Sequence, residues 1–347
     1  MKLVRRIILF LGAGASAPFG YPTTQKFINE LKDNLGSDVE GKFLSYLLDI
    51  KGFTDVEHVL ELLDLLQSIN RHPVKDFLRT YPTHLRFGAG ESISFLEMLD
   101  GMEKLRDRIQ SDVFRQYEFD PTTIGPITQV YSPLVEMLSL LSNYKEIPIF
   151  TTNYDRVIEE FCRSNKLTCI DGFKRTGGSE EFEWNPEDFN REITDTSETT
   201  IKLFKLHGSL NWRIRKSDNT IVKIPPEERT RGSRRYEKNL VIYPAEKLKP
   251  ENEPFRTLHE FFRSEFIKSD YAIFVGFSFR DEYLNSLIMS SSGKNKIIIV
   301  SPRATELLKR LLSVRPIWHT ERNPITIDRS FGEVETLNEI EKTILKH

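Results

Sequence analysis

The chain has 347 residues, of which 39% are hydrophobic and 29% charged, and its formal net charge is −2. That balance supports a globular fold with a sizeable core, and the near-neutral charge gives no general attraction for nucleic acid. No apolar run is long enough to span a bilayer, and two cysteines, Cys162 and Cys169, exclude a disulfide framework and a four-cysteine zinc site.

The first element is the apolar run Ile7–Leu11, after Lys2, Arg5 and Arg6 and before Gly12-Ala13-Gly14-Ala15-Ser16-Ala17. A basic start, an apolar run and the small residues Ala15-Ser16-Ala17 also describe a secretion signal. Gly12 and Gly14 break the run early, however, and it reads well as a buried strand with a wet beginning. With two core thiols suited to a reducing compartment, a cytoplasmic protein that keeps its N-terminus is expected.

Further β-rich runs follow at Ile147–Thr151, Ile201–Leu206, Tyr271–Phe277 and Ile297–Val300. Helical patterns accompany them at Thr23–Leu35, Tyr154–Ser164, Asp281–Ser290 and Ala304–Leu312. Strands alternating with helices predict an α/β fold: a Rossmann-like, mostly parallel sheet with helices on both faces.

Residues 36–120 break this rhythm. Thr54 and Glu57 have capping-box spacing, and Val56, Val59, Leu60, Leu63 and Leu66 recur at helical spacing. Leu96, Leu99, Leu105, Ile109 and Val113 repeat the pattern. A helical insertion at 36–120 is therefore expected, either simply packed over the sheet or serving as a cap over a cleft or an oligomer face, within a main domain of residues 1–35 and 121–347. The acidic stretch 171–200 reads as a solvated loop, and the basic segment Arg229–Lys238 as a solvated hairpin or loop that could touch phosphates.

Four strand ends carry chemistry. After Ile7–Leu11, G-x-G-x-x-A suits a dinucleotide-binding turn: one glycine for the tight turn, one for close approach of a pyrophosphate, then a helix N-terminus facing the anion. The acidic residue that holds a ribose in hydride-transfer enzymes has no good counterpart, since Glu30 and Asp33 fall within the expected helix. Asn153 and Asp155 end the second strand, as helix caps or as ligand-facing groups. His207, with Gly208 and Ser209, ends the third, and Gly276 and Ser278 the fourth. Each has an ordinary structural reading alone. Together they gather Gly, Asn, Asp, His and Ser at the carboxyl ends of parallel strands.

In this order GAGAS, TTNYD, LHGS and VGFS resemble the NAD-binding core of the sirtuins over about residues 1–35 and 120–300. The resemblance implies that Gly12, Ala13, Gly14, Ala15 and Ser16 hold the NAD⁺ pyrophosphate, with Thr23 also on the cofactor. It implies that Asp155 faces the nicotinamide ribose with Asn153, that Gly276 and Ser278 contact the adenosine half, and that Ser301 lines the adenine end. Asn153 and His207 would be catalytic: Asn153 orients a water toward C1′ of the ribose, and His207 takes a proton from ribose or water. The chain departs from protein-deacylating sirtuins in three places. It lacks the cysteines for their zinc module. It reads Gly20-Tyr21-Pro22-Thr23-Thr24-Gln25 where they carry G-I-P-x-F-R. It has Thr152 and Tyr154 in the T-Q-N-I-D segment.

The pattern looks closer to the sirtuin-like NAD hydrolases of bacterial anti-phage defence. The implied activity is triggered NAD⁺ hydrolysis without zinc. The alternatives are an NAD-dependent protein deacylase or ADP-ribosyltransferase, and a catalytically silent NAD-binding assembly module. Because the core and its insertion use nearly all of the chain, gating is expected from a homo-oligomer, from a partner ATPase or sensor acting in trans, or from both.

Overall fold

The run Ile7–Leu11 forms strand β1, and all its side chains are buried. The structure, a computed structural model, describes residues 5–35, 39–49, 59, 62–63, 84–87, 91–142, 146–176, 181–191, 199–224, 235–236, 251–290, 295–314 and 324–346. After β1 come α1 (Thr24–Leu35), α2 (Val39–Asp49), a hairpin of β2 (His84–Phe87) and β3 (Glu91–Ser94), and α3 (Phe95–Tyr117). Next are α4 (Ile124–Ser142), β4 (Glu146–Thr151), α5 (Val157–Ser164), β5 (Thr168–Ile170), β6 (Phe173–Arg175), β7 (Phe182–Trp184), β8 (Thr200–Lys205), β9 (Trp212–Ile214) and β10 (Ile221–Lys223). The chain continues with α6 (Phe255–Lys268), β11 (Tyr271–Val275), α7 (Glu282–Ser290), β12 (Lys296–Val300), α8 (Ala304–Val314), β13 (Ile325–Ile327) and α9 (Val334–Lys346). Among the described residues no helix is long and apolar enough to cross a membrane.

The chain divides into two compact units: the described residues from 22 to 117 form one, and those before 22 and from 118 onward form the other. In the first, α2 packs on α1 and α3. Leu105, Ile109 and Val113 are buried four residues apart along α3, as an amphipathic helix requires. The block is not wholly helical, because β2 and β3 pair in it. Of the helix expected around Val56–Leu66, only Val59, Leu62 and Leu63 are described, and these are helical; the Thr54–Glu57 box lies outside the described residues.

The larger unit is built on a seven-stranded parallel sheet ordered β13-β12-β11-β1-β4-β8-β5. From β1 the chain adds β4, then β5 at the sheet edge and β8 between these two, before it crosses to β11 on the other side of β1. The order therefore reverses at β1, and open α/β sheets hold ligands at the carboxyl ends of strands at such a point. Ile8, Phe10, Phe150, Phe204 and Phe274 join Phe262 and Phe266 of α6 in one core. Leu9, Ile149 and Leu203, one step along their strands, are buried too, as in a sheet covered on both faces.

The acidic stretch 171–200 departs from the solvated loop expected of it. β6 and β7 join β10 and β9 in a four-stranded antiparallel sheet. Phe189, on a short 3₁₀ turn at Pro186–Asn190, stacks on Phe204 of the main sheet with ring centroids 4.3 Å apart. The few aromatics among the acids supply the burial that the charge pattern hides. Residues 177–180 and 192–198 lie outside the described residues, as does most of Arg229–Lys238. Within that basic segment Tyr236 is buried and donates its hydroxyl to Glu181.

Phe189→Ala removes this stack and the apolar area beneath it. It is expected to lower the unfolding free energy by about 3–5 kcal/mol, read from the denaturant midpoint; a solvent-exposed loop would show almost no change.

Candidate functional site

Every strand from β12 to β8 in the sheet order carries a singled-out residue just past its carboxyl end. Ser301 follows β12, Gly276 and Ser278 follow β11, Gly12–Ser16 follow β1, Asn153 and Asp155 follow β4, and His207 follows β8.

The turn after β1 is built against the turn after β11. Gly12 N–H donates to the Val275 carbonyl at 2.9 Å, and Gly14 N–H to the Gly276 carbonyl at 3.0 Å. A Cβ on Gly12 would lie 2.6 Å from the Gly276 oxygen, and one on Gly14 2.8 Å from the Gly276 Cα. Gly276 itself has φ +60, and a Cβ there would come within 2.4 Å of Ala15 N. The glycines are thus required by contact of backbone with backbone. The expected helix N-terminus directly behind the turn is absent: two short 3₁₀ turns, Ala13–Ala15 and Ala17–Phe19, follow Gly12. Ala15 and Ser16 donate their N–H groups back to Gly12 and Ala13. Among the described residues the Ala13 N–H has no acceptor, so it is the amide of this turn left for a ligand.

Asn153 is anchored to this turn. Its Nδ2 donates to the Gly12 carbonyl and to Ser16 Oγ, each at 3.1 Å. Ser16 Oγ in turn donates to Asp155 Oδ2 at 2.8 Å, and Asp155 Oδ1 accepts the Val157 N–H at 3.1 Å. Asp155 satisfies the start of α5, while Asn153 points back to β1 with its Oδ1 unengaged among the described residues. Beneath them Lys205, 1% exposed, donates to the Asp155 carbonyl and to Glu159 Oε1. Burial pushes the Asp155 carboxyl above its ordinary value, and Lys205, Ser16 and the Val157 N–H oppose that shift.

His207 lies two residues past β8, and Asn153 two past β4. The last residues of these neighbouring strands, Lys205 and Thr151, are register partners. Leu210 N–H donates to the Tyr154 carbonyl at 3.4 Å and ties the two loops together. His207 is 3% exposed, and its Nε2 lies 3.0 Å from Asp281 Oδ2 while Nδ1 has no partner among the described residues. Asp281 escaped the sequence reading because its other oxygen caps α7, accepting the Leu284 N–H at 2.8 Å. An acid at a helix start looks like a cap, and only the fold brings it to His207.

The remaining candidates are less engaged. Ser278 is exposed, and its carbonyl accepts from Arg310 at 3.4 Å. Ser301 Oγ accepts the Arg303 N–H at 3.3 Å at the start of α8. Thr23 belongs to the other unit, where its Oγ1 accepts the Lys26 N–H at 3.4 Å. Cys162 and Cys169 adjoin, and the Cys162 sulfur together with burial raises the Cys169 thiol. Among the described residues no three His, Cys, Asp or Glu side chains are grouped to hold a metal ion.

A family model described as SIR2-like domain matches residues 148–314. That stretch contains Asn153, His207 and Asp281 and begins after the Gly12–Ser16 turn. No curated protein matches the chain. Among solved structures the chain is similar to a Sir2 homologue–NAD complex at 15% identity, covering 98% of this chain and 89% of that one, with a TM-score of 0.44. It is also similar to a Sir2–p53 peptide–NAD⁺ complex at 11% identity, covering 99% and 95%, with a TM-score of 0.45.

Two outcomes follow from this geometry. Gly14→Val drives a side chain into the Gly276 backbone and is expected to lower the unfolding free energy by about 1–3 kcal/mol, so melting as well as ligand binding should change. The second concerns Asp155, whose carboxyl is raised in the folded state. The folded protein binds its proton more tightly than the unfolded chain, so Asp155 loses stability as pH rises from the ordinary value of about 3.9 up to the raised one. Unfolding free energies measured across pH should therefore shift in favour of Asp155→Asn relative to the wild type over that window and then level off.

Proposed function

We propose that this SIR2-like domain is an NAD-utilising enzyme and that its reaction is hydrolysis of the nicotinamide–ribose bond of NAD⁺. The observation that carries the reading is the matched placement of Asn153 and His207 past the adjacent strands β4 and β8, on one side of β1, where the sheet order reverses. Breaking that bond releases neutral nicotinamide from a cationic ring and leaves an oxocarbenium-like ribose. The site must place a water at C1′ and take its proton.

Asn153 suits the first task. Both hydrogens of its amide are held by Gly12 and Ser16, so Oδ1 is fixed as an acceptor that orients a water O–H. Preorganisation of this kind lowers the barrier because little reorganisation is left for the reaction itself. His207 suits the second, with a buried ring nitrogen unoccupied by the protein's own groups. The Ala13 N–H is the donor we assign to the pyrophosphate, with the other turn residues holding it in place. Ser278 and Ser301, past β11 and β12, are assigned to the adenosine half.

We further propose that the activity is a triggered NAD⁺-depleting response in anti-phage defence. Free NAD⁺ hydrolysis harms the cell that makes it, so self-assembly or a partner protein would hold it in check.

The test is nicotinamide release from NAD⁺ by purified protein, with and without an acetylated peptide. Release without peptide is the expected result. Release only with peptide would make the protein a deacylase, and no release under any condition, oligomeric state included, would leave a silent NAD-binding module. Asn153→Ala and His207→Ala should each reduce release by about 10²–10⁴-fold. Asn153→Ala should cost only about 1 kcal/mol of stability, since Ser16 keeps its bond to Asp155. NAD⁺ binding should survive in both variants.

A further inference from the structure

The contact between His207 and Asp281 spans an unusual distance in the sheet. β8 and β11 are separated by β4 and β1, yet the loops that leave them meet at 3.0 Å, with both side chains buried. A carboxylate offers only acceptors, so the ring nitrogen that faces it carries the hydrogen. Nε2 is therefore the N–H, and Nδ1 holds a bare lone pair. Among the described residues Nδ1 has no hydrogen-bond partner, although the residue is almost fully buried. A buried acceptor left open in this way costs free energy unless a ligand fills it.

We propose that Asp281 is a positioning residue: it locks His207 as the Nε2–H tautomer and makes Nδ1 the atom that accepts the proton. The inference rests on the hydrolytic reading for its kinetic arm only. In the step it serves, the water oxygen bonds to C1′ as the C1′–nitrogen bond breaks, and nicotinamide leaves with that electron pair. The water proton passes to Nδ1 and later to solvent. Asp281 does not take it; its charge stabilises the imidazolium while the proton is held, the role a buried carboxylate plays behind a catalytic histidine.

A second buried histidine stands nearby and marks the contrast. His259 on α6 directs Nδ1 to the Phe255 carbonyl at 2.8 Å, which makes it the opposite tautomer. Burial holds its pKa down to about 4, so it brings no rival positive charge to the pair.

The geometry of Asp281 makes one substitution informative. Oδ1 accepts the Leu284 N–H and Oδ2 faces His207. In Asp281→Asn the single carbonyl oxygen keeps the helix bond, which sets the amide NH₂ against Nε2. The amide then donates where the carboxylate accepted, and the hydrogen on His207 must move to Nδ1. The cap is retained, so the fold is retained.

The experiment uses full-length protein labelled with ¹⁵N-histidine, at about pH 8.5, some two units above the ordinary histidine value. The His207 signals are assigned by their loss in His207→Gln. The wild type is expected to show a protonated Nε2 and a bare Nδ1, and Asp281→Asn the reverse. In the nicotinamide assay Asp281→Asn should lose about 10²–10⁴-fold in kcat, with KM for NAD⁺ held within about threefold. An Nδ1–H tautomer in the wild type, an unchanged tautomer in Asp281→Asn, or wild-type kcat in that variant would each overturn the proposal. If the wild type releases no nicotinamide, the hydrolytic reading fails, and the nitrogen spectra alone decide the role of Asp281.

Discussion

Gly14 gives its N–H to the Gly276 carbonyl at 3.0 Å, and neither residue has room for a Cβ. Two turns, one leaving β1 and one leaving β11, are thereby pressed together where the sheet order reverses. Much of the site follows from that contact. It fixes the Gly12 carbonyl, which accepts from Asn153, and it starts the 3₁₀ turn that places Ser16 over Asp155. A side chain at either glycine would separate the turns and move the anchor of Asn153 with them. The glycine pattern that resembles a phosphate grip is first of all a packing requirement, and the one free amide at Ala13 follows from it.

The polar groups below the turn form a chain in which each member holds the next. Burying Lys205 and Asp155 would be costly if either stood alone, because desolvation of an unpaired charge costs several kcal/mol. Here Lys205 is met by Glu159 and by the Asp155 carbonyl, and the Asp155 carboxylate by Ser16 and Val157. The network restrains Asn153 without touching its Oδ1. Its rigidity comes from being fully satisfied, the condition under which buried polar groups specify one arrangement.

The parts of this arrangement that the sequence disclosed share a physical character. Ile7–Leu11 and the runs leading to Thr151, Lys205, Val275 and Val300 are apolar, β-rich and closed by turn residues, so their strands were legible to within about two residues. The residues just past those ends were legible with them. Three-residue strands such as Thr168–Ile170 and Ile325–Ile327 carry too short a pattern to be read. Trp184 and Phe189 were lost among acids because charge dominates a window in which a few aromatics supply the burial. Asp281 was visible only as the start of a helix, since its second partner follows a strand separated from β11 by two others.

His207 and His259 show why residue type alone could not settle the site. Both are buried imidazoles in the same unit, and each has one ring nitrogen engaged. His259 faces a backbone carbonyl inside its own helix, and burial drives its pKa down to about 4, so it stays neutral at working pH and serves packing. His207 faces a carboxylate from another strand end and keeps its other nitrogen open. His259 spends its engaged nitrogen on a carbonyl of its own helix, whereas the ring of His207 is held by a side chain that only the fold brings to it. The difference lies in what the fold sets opposite each ring, and it is the reason the hydrolytic proposal gives proton transfer to His207 and not to His259.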